Sequence, residues 1–370
     1  MIKSGTNFLR NVFILINLCV VFCYLLVCLL PYINTGKYWY LALTGLLFPL
    51  IFFALIFCIL VWAFARSKWF WVSFIVLLAG FQQILASFGF NLPKHFEQAK
   101  TANTLRILQW NVSSWDQVNK DKKRANYRQE MLDLVKSQDA DILCFQEFYE
   151  PVIPNLHPFN IPVIAKMGYP YYYFVSSYGR ENDFNNGVII FSKYPMIDSA
   201  SFNYDMNSSA EHLIYTDIKV NDKIFRIITT HLQSVKFTAD DYQSLSEIKH
   251  TNKEGLKDSR TIVGKLKRGY TYRYSQAELV HEQIEKSPYP VIVCGDFNDV
   301  PNSNTYFKIK DGLRDAFLEK GFFIGRTFRF ISPTLRIDYI LTDKKFSVAQ
   351  SQIIHVPYSD HYPVEADLRY

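Results

Sequence analysis

The sequence predicts an α/β layered domain that follows a membrane region rich in apolar residues. From residue 105 onward, short apolar runs of strand length alternate with hairpin and helical patterns. Asn221-Asp222 is a good hairpin signal, and helical patterns cover about 124–137 and 273–286. Because hairpins and helical crossovers both occur, we expect mixed sheets covered by helices. The membrane region, residues 1–92, differs in having three long uncharged apolar stretches and no acidic residue.

The three apolar stretches of the membrane region are each long enough to cross a bilayer. They cover about 11–30, 39–64 and 69–90, and about 20 helical residues span the ~30 Å hydrocarbon core of a membrane. The first stretch is longer than the ~7–15 apolar residues of a signal peptide. Buried helices of a soluble protein are the alternative, but three uncharged stretches in succession are rare there. We therefore predict three transmembrane helices.

Basic residues in the short loops predict the orientation of these helices. Lys3 and Arg10 precede the first stretch, Arg66 and Lys68 follow the second, and only Lys37 lies between the first two. Since cytoplasmic loops are enriched in Lys and Arg, we expect the N-terminus in the cytoplasm. After three crossings the C-terminal domain is then extracytoplasmic. The prediction is a multi-pass protein of a bacterial inner membrane, with the lipid bilayer as a partner and no obligate protein partner.

Net charge gives no argument for nucleic-acid binding by default. The chain has 40 Lys and Arg against 34 Asp and Glu, a net charge of +6. Five of the basic residues and none of the acidic ones lie in residues 1–92, so the remainder carries about +1. Residues 93–104 lose the apolar character and are predicted to be a linker. The predicted domains are therefore 1–92, the linker 93–104, and 105–370.

Six apolar runs of the C-terminal domain share one feature, a residue at one end that suits a metal ion or a phosphate. These residues are Asn111, Glu147, His231, Asp296 with Asn298, Asp338, and Asp360 with His361. Polar residues at the ends of buried strands project from one rim of a sheet. Hard divalent cations take carboxylate and amide oxygens as ligands. The set favours a hydrolytic site built around such a cation.

Single motifs allow a second interpretation. The segment Gly295-Asp296-Phe297-Asn298 can form an Asx-type turn after a strand. Alternatively, Asp296 and Asn298 face one side of an extended chain, where one orients or deprotonates a water and the other donates to a phosphoryl oxygen. A lone His231 at a strand end is more often structural, although its imidazole could also neutralise charge in a transition state.

The last motif pairs an acid with an imidazole near the C-terminus. Asp360-His361 can belong to a surface turn. In the functional interpretation, Asp338 accepts a hydrogen bond from one ring nitrogen of His361 and raises the basicity of the other. Asp360 is then free to reach a metal ion.

Together these motifs resemble the endonuclease/exonuclease/phosphatase superfamily. The resemblance covers residues 105–370 in order and spacing, and single motifs are weak while the ordered set is specific. The matching segments are Gln109-Trp110-Asn111, Gln146-Glu147, Thr230-His231-Leu232, Gly295-Asp296-Phe297-Asn298, Arg336-Ile337-Asp338-Tyr339 and Ser359-Asp360-His361. The resemblance implies a four-layer α/β sandwich of two mixed sheets flanked by helices. It also implies Mg²⁺- or Mn²⁺-dependent cleavage of a phosphate ester.

The resemblance also implies roles for the site residues. Glu147 would be the principal metal ligand, helped by Asn111 and Asp360. Asp296 and Asn298 would position the attacking water, His231 would bind phosphoryl oxygens, and Asp338 with His361 would form a base dyad. Whether Asp296 or His361 takes the proton stays open.

A basic stretch offers a candidate for substrate binding. Residues 249–273 hold eight basic and two acidic side chains, and Lys265, Lys267 and Arg268 lie within this stretch. A solvated helical face explains it equally well. The functional alternative is contact with an anionic lipid surface or a polyphosphate substrate.

The preferred function is a membrane-anchored, divalent-metal-dependent phosphodiesterase or phosphatase. Its substrate would be a phospholipid, a small phosphodiester or a nucleic acid. One alternative is an extracytoplasmic nuclease that acts on DNA or RNA. The other is a membrane-tethered binding domain without catalytic activity, which the loss of several ligands would have favoured, but every required role has a candidate residue.

Overall fold

A computed structural model describes residues 2–118, 126–153, 157–180, 183–204, 211–235 and 253–370. The first 88 residues are largely helical. The helices are α1 (Ile2–Cys28), α2 (Trp39–Ala42), α3 (Phe48–Phe64), α4 (Trp69–Ala79) and α5 (Phe81–Ser87), with 3₁₀ turns at Leu30–Tyr32 and Leu43–Leu47. Two segments, Asn7–Tyr32 and Trp39–Phe64, are long and apolar enough to cross a membrane.

The third predicted transmembrane helix is not continuous. Residues 69–87 form α4 and α5, which are bent by 60° relative to each other at Gly80. The bend allows Tyr24 of α1 to approach closely, because a Cβ at Gly80 would lie 2.2 Å from the Tyr24 hydroxyl and 2.6 Å from Cys28 Sγ. The Tyr24 hydroxyl donates to Leu77 O at 3.2 Å, just before the bend. The expected third helix is therefore a bent helix pair.

The packing of these helices fixes their relative directions. Phe13 contacts Trp62 and Tyr24 contacts Phe48, with ring centroids 4.9 and 6.0 Å apart, so α1 and α3 are antiparallel. Buried hydrogen bonds join Ser73 Oγ to Asn17 Oδ1 at 2.7 Å and Gln83 Nε2 to Cys28 O at 2.9 Å, so α1 and α4–α5 run in the same direction. The end of α1, the start of α3 and the end of α5 consequently lie at one end of the helix cluster.

The C-terminal part consists of two mixed sheets and a small ribbon. Its strands are β1 (Gly89–Phe90), β2 (Thr104–Asn111), β3 (Ile142–Pro151), β4 (Tyr171–Arg180), β5 (Phe184–Ser192), β6 (Met196–Phe202), β7 (Leu213–Val220), β8 (Lys223–His231), β9 (Val291–Asp296), β10 (Arg314–Asp315), β11 (Phe322–Phe323), β12 (Asp338–Thr342), β13 (Ser347–Ile353) and β14 (Val364–Arg369). Sheet 1 has the order β13-β14-β2-β3-β5-β4 and sheet 2 the order β10-β12-β9-β8-β7-β6, while β1 pairs with β11. In each sheet one central pair is parallel, β2 with β3 and β8 with β9.

Helices cover the outer faces of both sheets. They are α6 (Arg128–Gln138), α7 (Ile161–Lys166), α8 (Lys253–Glu285), α9 (Asn304–Lys310) and α10 (Ala316–Lys320). Met131 and Val135 of α6 are buried against sheet 1, and Ala277 and Val280 of α8 against sheet 2. The predicted four-layer sandwich is confirmed. The helix expected at 273–286 begins twenty residues earlier, and the start of the one expected at 124–137 lies outside the described residues.

The apolar layer between the sheets holds the sandwich together. Its members are fully buried and come from strands of both sheets, including Ile107, Ile142, Cys144 and Ile190 of sheet 1 and Ile227, Ile292, Cys294 and Ile340 of sheet 2. Burying a side chain of this size contributes about 1.5–3 kcal/mol. The layer therefore fixes the distance between the two strand rims that carry the polar residues.

The predicted linker packs against the C-terminal part. Residues 93–104 form no helix and no strand apart from Thr104, the first residue of β2. Phe96 is nevertheless buried, and the Arg106 guanidinium donates to the main-chain oxygens of Glu97 and Gln98 at 3.0 Å each. The same guanidinium forms a buried ion pair with Asp367 at 2.7 Å. The segment is thereby held to sheet 1.

Polar side chains of the C-terminal part also bind the N-terminal helices. Asn302 Nδ2 donates to Val27 O at 3.2 Å, and Asn304 Nδ2 donates to Pro31 O at 2.8 Å. The buried Arg336 donates to Ala86 O at 2.8 Å and to Asp315 Oδ2 at 2.6 Å. The acceptors Val27 O, Pro31 O and Ala86 O all lie at the same end of the helix cluster. The two parts are therefore joined by specific hydrogen bonds to the helix ends.

Gly295 lies where β9 passes closest to β8, and its substitution tests the packing at the rim. A Cβ there would lie 2.3 Å from the main-chain oxygen of Thr230. We expect Gly295→Ala to lower the free energy of unfolding by about 2 kcal/mol, because neither backbone can yield without moving its sheet. The measurement is thermal unfolding of the full-length protein in detergent micelles.

Gly264→Ala is the matched control. Nothing lies within 4 Å of the corresponding Cβ on α8, so that substitution should raise stability by about 0.5–1 kcal/mol. Equal effects of the two substitutions would contradict the close approach of β8 and β9.

Candidate active site

Strand register brings three of the predicted residues into one row of sheet 2. His231 at the end of β8 is the parallel partner of Asp296 at the end of β9. Asp338 at the start of β12 is the antiparallel partner of the same Asp296. Neighbouring strands lie about 4.8 Å apart, so the three residues meet at one rim. Asp296 occupies the centre of the row.

Sheet 1 contributes Asn111 and Glu147 from the adjacent strands β2 and β3. Asn111 pairs with Gln146, and Glu147 follows in a β-bulge with a left-handed φ of 49°. Such a bulge re-aims a side chain. Asn111 Nδ2 donates to Glu147 Oε1 at 3.1 Å and to Asp296 Oδ2 at 3.2 Å. The Asn111 amide thus connects the rims of the two sheets.

Asp338 and His361 form the predicted dyad. Asp338 Oδ2 lies 2.8 Å from His361 Nδ1, while Asp338 Oδ1 accepts from Gln109 Nε2 at 3.1 Å. His361 Nε2 consequently faces Asp296 Oδ2 at 3.6 Å. Burial alone would lower the pKa of His361, but the carboxylates of Asp338 and Asp296 outweigh it and raise that pKa well above its ordinary value. Without a bound cation, these carboxylates favour the protonated His361 ring, whose Nδ1 is hydrogen-bonded to Asp338.

Glu211 is a site residue that the sequence did not reveal. This buried carboxylate lies just before β7, with Oε2 3.1 Å from His231 Nδ1. The same oxygen accepts the main-chain N–H of Glu147 at 3.0 Å. His231 Nε2 in turn faces Asp296 Oδ2 at 3.6 Å. A single acid ahead of a strand carries no distinguishing pattern, so only its burial identifies it.

The charge of His231 depends on this arrangement. Burial alone would lower its pKa, but the carboxylates of Glu211, Asp296 and Glu147 raise the pKa of His231 to about 9. The imidazole is then a cation at neutral pH. Its position beside Asp296 suits the predicted role of a donor to phosphoryl oxygens.

Asp296 and Asn298 adopt the turn that was one of the two interpretations of their motif. Asp296 Oδ1 accepts the main-chain N–H of Asn298 at 2.9 Å, which is an Asx turn, and Asn298 has a left-handed φ of 52°. The expected extended chain is therefore wrong at this position. Asn298 Nδ2 donates to Leu232 O at 3.0 Å. The turn uses only Oδ1 of Asp296, so Oδ2 stays among Asn111, His231 and His361.

Asp360 lies at a cleft of about 360 Å³ beside this cluster. The half-buried Asp360 side chain accepts from Ser359 Oγ at 3.1 Å. The Ser359 hydroxyl also contacts Asn111 O at 2.8 Å, which ties the segment to β2. Other side chains around the cleft are Asp116, Tyr127, Arg329, Phe330 and Tyr358. Of the predicted site residues, Asp360 is the one that lines this cleft.

The donor set fits a hard divalent cation. The Glu147 side chain is 32% exposed toward solvent. Burial raises the pKa of Glu147. The charge of His231 lowers this pKa, while the negative charges of Asp360 and Glu211 raise it. Crowded carboxylates of this kind are what a cation neutralises. Asn111 presents Nδ2 to Glu147, while its Oδ1 accepts from Ser113 N at 3.0 Å, so its amide must rotate to act as a ligand.

A second group of ligand-type atoms lies deeper in the site. One atom from each of Asp296, Asp338 and His361 falls within 4.8 Å of the others. Asp338 and His361 already form a hydrogen bond with each other. This group therefore consists of the dyad and the neighbouring Asp296. The predicted ligands Glu147 and Asp360 lie nearer to solvent.

The predicted substrate-binding residues lie on the long helix α8. Lys267 and Arg268 are exposed there, and the Arg268 guanidinium stacks over Tyr272 at 5.6 Å. Lys265 is half-buried on the same helix, and residues 236–252, with the start of the basic stretch, lie outside the described part. The stretch ends in Arg273, which donates to Gln233 O at 2.9 Å and is structural. Substrate binding by Lys265, Lys267 and Arg268 stays a prediction.

Comparison with known families agrees with this geometry. The model of the Endonuclease/Exonuclease/phosphatase family matches residues 108–361, well over half of the 370 residues. The chain belongs to this family. Membership makes the protein a hydrolase of phosphoester bonds and confirms the resemblance seen in the motifs. A second model, a domain of unknown function (DUF8431), matches residues 10–87.

One solved structure of the family shares the fold, and others are similar to the chain. An endonuclease/exonuclease/phosphatase from Beutenbergia cavernae DSM 12333 is 18% identical with a TM-score of 0.52, over 72% of each chain. The human Nocturnin catalytic domain with bound sulfate is 18% identical with a TM-score of 0.49, over 72% of this chain and 93% of that one. A family member from Bacteroides vulgatus is 21% identical with a TM-score of 0.48, over 73% and 99%. A comparison with curated proteins gave no match.

The raised pKa of His231 predicts how stability depends on pH in metal-free protein. Its contribution is complete below the unfolded pKa of 6.5 and is lost as the pH rises through about 9. The loss is at most about 3 kcal/mol, at 1.36 kcal/mol per pKa unit. We expect Glu211→Gln to reduce this loss and to shift it to lower pH. Chemical unfolding between pH 6 and 10 with a chelator present measures it.

Glu130→Gln serves as the control, because Glu130 is an exposed acid on α6. Its pH dependence should match that of the unsubstituted protein. If Glu211→Gln also left the profile unchanged, the pairing of Glu211 with His231 would be refuted.

Proposed function

We propose that the protein is a membrane-held, divalent-metal-dependent phosphoester hydrolase that uses Mg²⁺ or Mn²⁺ and an activated water. One observation carries the proposal: both sheet rims converge on the Asp296 carboxylate. Asp296 Oδ2 lies 3.2 Å from Asn111 Nδ2 and 3.6 Å from each of the two imidazole Nε2 atoms. A binding module without activity has no need for a buried acid surrounded by three donors.

The residues divide the chemistry among them. Glu147 and Asp360 would hold the cation, which would supply positive charge to neutralise the phosphate and orient the ester. His231 and His361 then donate to the phosphoryl oxygens, where negative charge grows during attack. Asp296 lies between their rings and can hold the attacking water and accept its proton. Asp338 keeps the His361 ring in place through Nδ1.

The helix arrangement supports a multi-pass attachment to the membrane. Two segments have the length and apolarity of spans, and the bent pair α4–α5 can form a third, broken one. The end of α1, the start of α3 and the end of α5 all lie on the side of the hydrolase. With Lys3, Arg10, Arg66 and Lys68 toward the opposite end, the basic-residue rule places the hydrolase outside the cytoplasm.

Glu147→Gln tests the metal site. It keeps the shape of the side chain and removes the charge, so we expect phosphoester turnover to fall at least about 100-fold. Mg²⁺ or Mn²⁺ affinity, measured by calorimetry on the full-length protein, should fall with it. The control is Glu130→Gln on the exposed face of α6, which should change neither. The proposal is refuted if Glu147→Gln keeps full activity on a panel of phospholipids, nucleic acids and small phosphate esters.

Asp338→Asn tests the dyad separately from the metal. The amide cannot stabilise a His361 imidazolium, so turnover should fall about 100-fold or more while metal affinity stays within about twofold. Steady-state kinetics and calorimetry on one preparation separate the two effects. An unchanged turnover number would remove Asp338 from the mechanism.

A further inference from the structure

Apolar side chains that the hydrolytic site does not use form an exposed rim beside the helix cluster. We define the apolar rim as Phe90 of β1, Phe322 of β11, and Phe330 and Ile331 of the following loop. Phe90 and Phe322 are cross-strand partners, 65% and 55% exposed, and Ile331 is 58% exposed. Several large apolar side chains exposed close together mark a surface that is covered in use.

The ribbon part of the apolar rim continues directly from the surface of α3. Phe323, next to Phe322 on β11, contacts Phe53 of α3 and Phe88, with ring centroids 6.1 and 5.7 Å apart. Phe53 is itself exposed, on the same face of α3 as Leu50 and Phe57. It lies five residues into α3, about 7.5 Å along the helix axis. The ribbon therefore lies alongside a candidate span and does not stop at its end.

The loop part of the apolar rim joins the same end of the helices to the cleft beside Asp360. The main-chain N–H groups of Thr327 and Phe328 both donate to Leu335 O, at 2.9 and 3.1 Å, which closes the loop and leaves Phe330 and Ile331 near its tip. Phe330 lines the cleft beside Asp360. Thr334 lines a small cavity together with Gly45, Leu46, Phe48 and Pro49. Four residues span at most about 14 Å, so the cleft opens close to the start of α3.

We propose that the apolar rim inserts into the surface of the bilayer crossed by the helices, and that the substrate is a phosphoester carried by a membrane lipid. The bilayer is the occupant because the rim is continuous with the lipid-facing side of α3, whereas a protein partner would have no reason to follow that face. Arg329, which lines the cleft and donates to Ser359 O at 2.7 Å, places a cation where an anionic headgroup enters. The substrate half of this proposal rests on the proposed function.

Spin-label accessibility in vesicles tests the insertion without any activity measurement. The full-length chain with Cys19→Ala and Cys23→Ala is reconstituted in phosphatidylcholine and phosphatidylglycerol vesicles, and Ile331→Cys carries a nitroxide. Ile197→Cys is the matched control, because Ile197 is an isoleucine of similar exposure, 49%, on β6 at the other edge of sheet 2. Phe322→Cys reports on the ribbon part of the rim.

The result is the ratio of nitroxide collisions with oxygen to collisions with a water-soluble nickel chelate. Oxygen concentrates in lipid and the chelate in water, so insertion should make this ratio severalfold higher at positions 331 and 322 than at 197. Equal ratios overturn the proposal. Low collision rates with both reagents also overturn it, because they mean that a protein partner or a second copy covers the rim.

A paired activity assay tests the substrate class. The double variant Phe322→Ser/Ile331→Ser changes two rim residues that have no part in the catalytic cluster. We expect its turnover of fluorescent phospholipids in the same vesicles to fall about tenfold, while turnover of water-soluble nitrophenyl phosphate mono- and diesters is unchanged. Equal changes on both substrates, or no change on either, refute the lipid assignment.

The unsubstituted protein separates the two proposals. If it hydrolyses the soluble esters but no phospholipid, the substrate class is wrong and the proposed function stands. If it hydrolyses neither of these nor nucleic acids, the proposed function fails, and the collision ratios still decide whether the rim inserts.

Discussion

The site depends on the register of β9 against its two neighbours in sheet 2. His231 and Asp338 reach the Asp296 carboxylate because each is its direct cross-strand partner. A slip of one residue on either side would turn the partner to the other face of the sheet. Gly295 makes the close pairing possible by leaving room for Thr230 O. One small residue therefore determines the geometry of three functional ones.

Charge balance at this rim explains why so many acids can lie together in a partly buried place. Glu211 and Asp338 lie behind the two imidazoles, at 3.1 and 2.8 Å, and keep them charged. The rings in turn offset the charge of Asp296 between them. Glu147 lacks such a complete set of partners and is the more exposed. The protein thus compensates its inner acids itself, and Glu147 keeps the least compensated charge.

Sequence patterns predicted the features that follow from strand periodicity. Buried strands end in polar residues, and so Asn111, Asp296 and Asp338 were identified together with the layered fold. Features that depend on contacts between distant segments gave no such signal. Glu211 is identified by its burial against His231, and Gly80 by the close approach of Tyr24 from another helix.

Boundaries were less predictable than the elements themselves. The pattern near 273–286 revealed the last third of α8, whose first turns carry few apolar residues and depend on the rest of the helix. The sequence left a turn and an extended chain open at Asn298, and its own N–H bonds to Asp296 and turns the backbone. The length of the helix outweighed the side-chain pattern in α8, and a local hydrogen bond outweighed it at Asn298.

Arg336 connects the hydrolase to the last N-terminal helix, and this has a practical consequence for preparing the protein. Its buried guanidinium donates to Ala86 O on one side and to Asp315 on the other. Arg336 lies two residues before Asp338 in the sequence. A fragment that begins after α5 would lose the carbonyl acceptor and would also expose Ile324, which is buried against the helices. Cutting the helices away to obtain a soluble enzyme would therefore leave the buried Arg336 guanidinium without one of its partners. Detergent or nanodisc preparations of the whole chain preserve that contact.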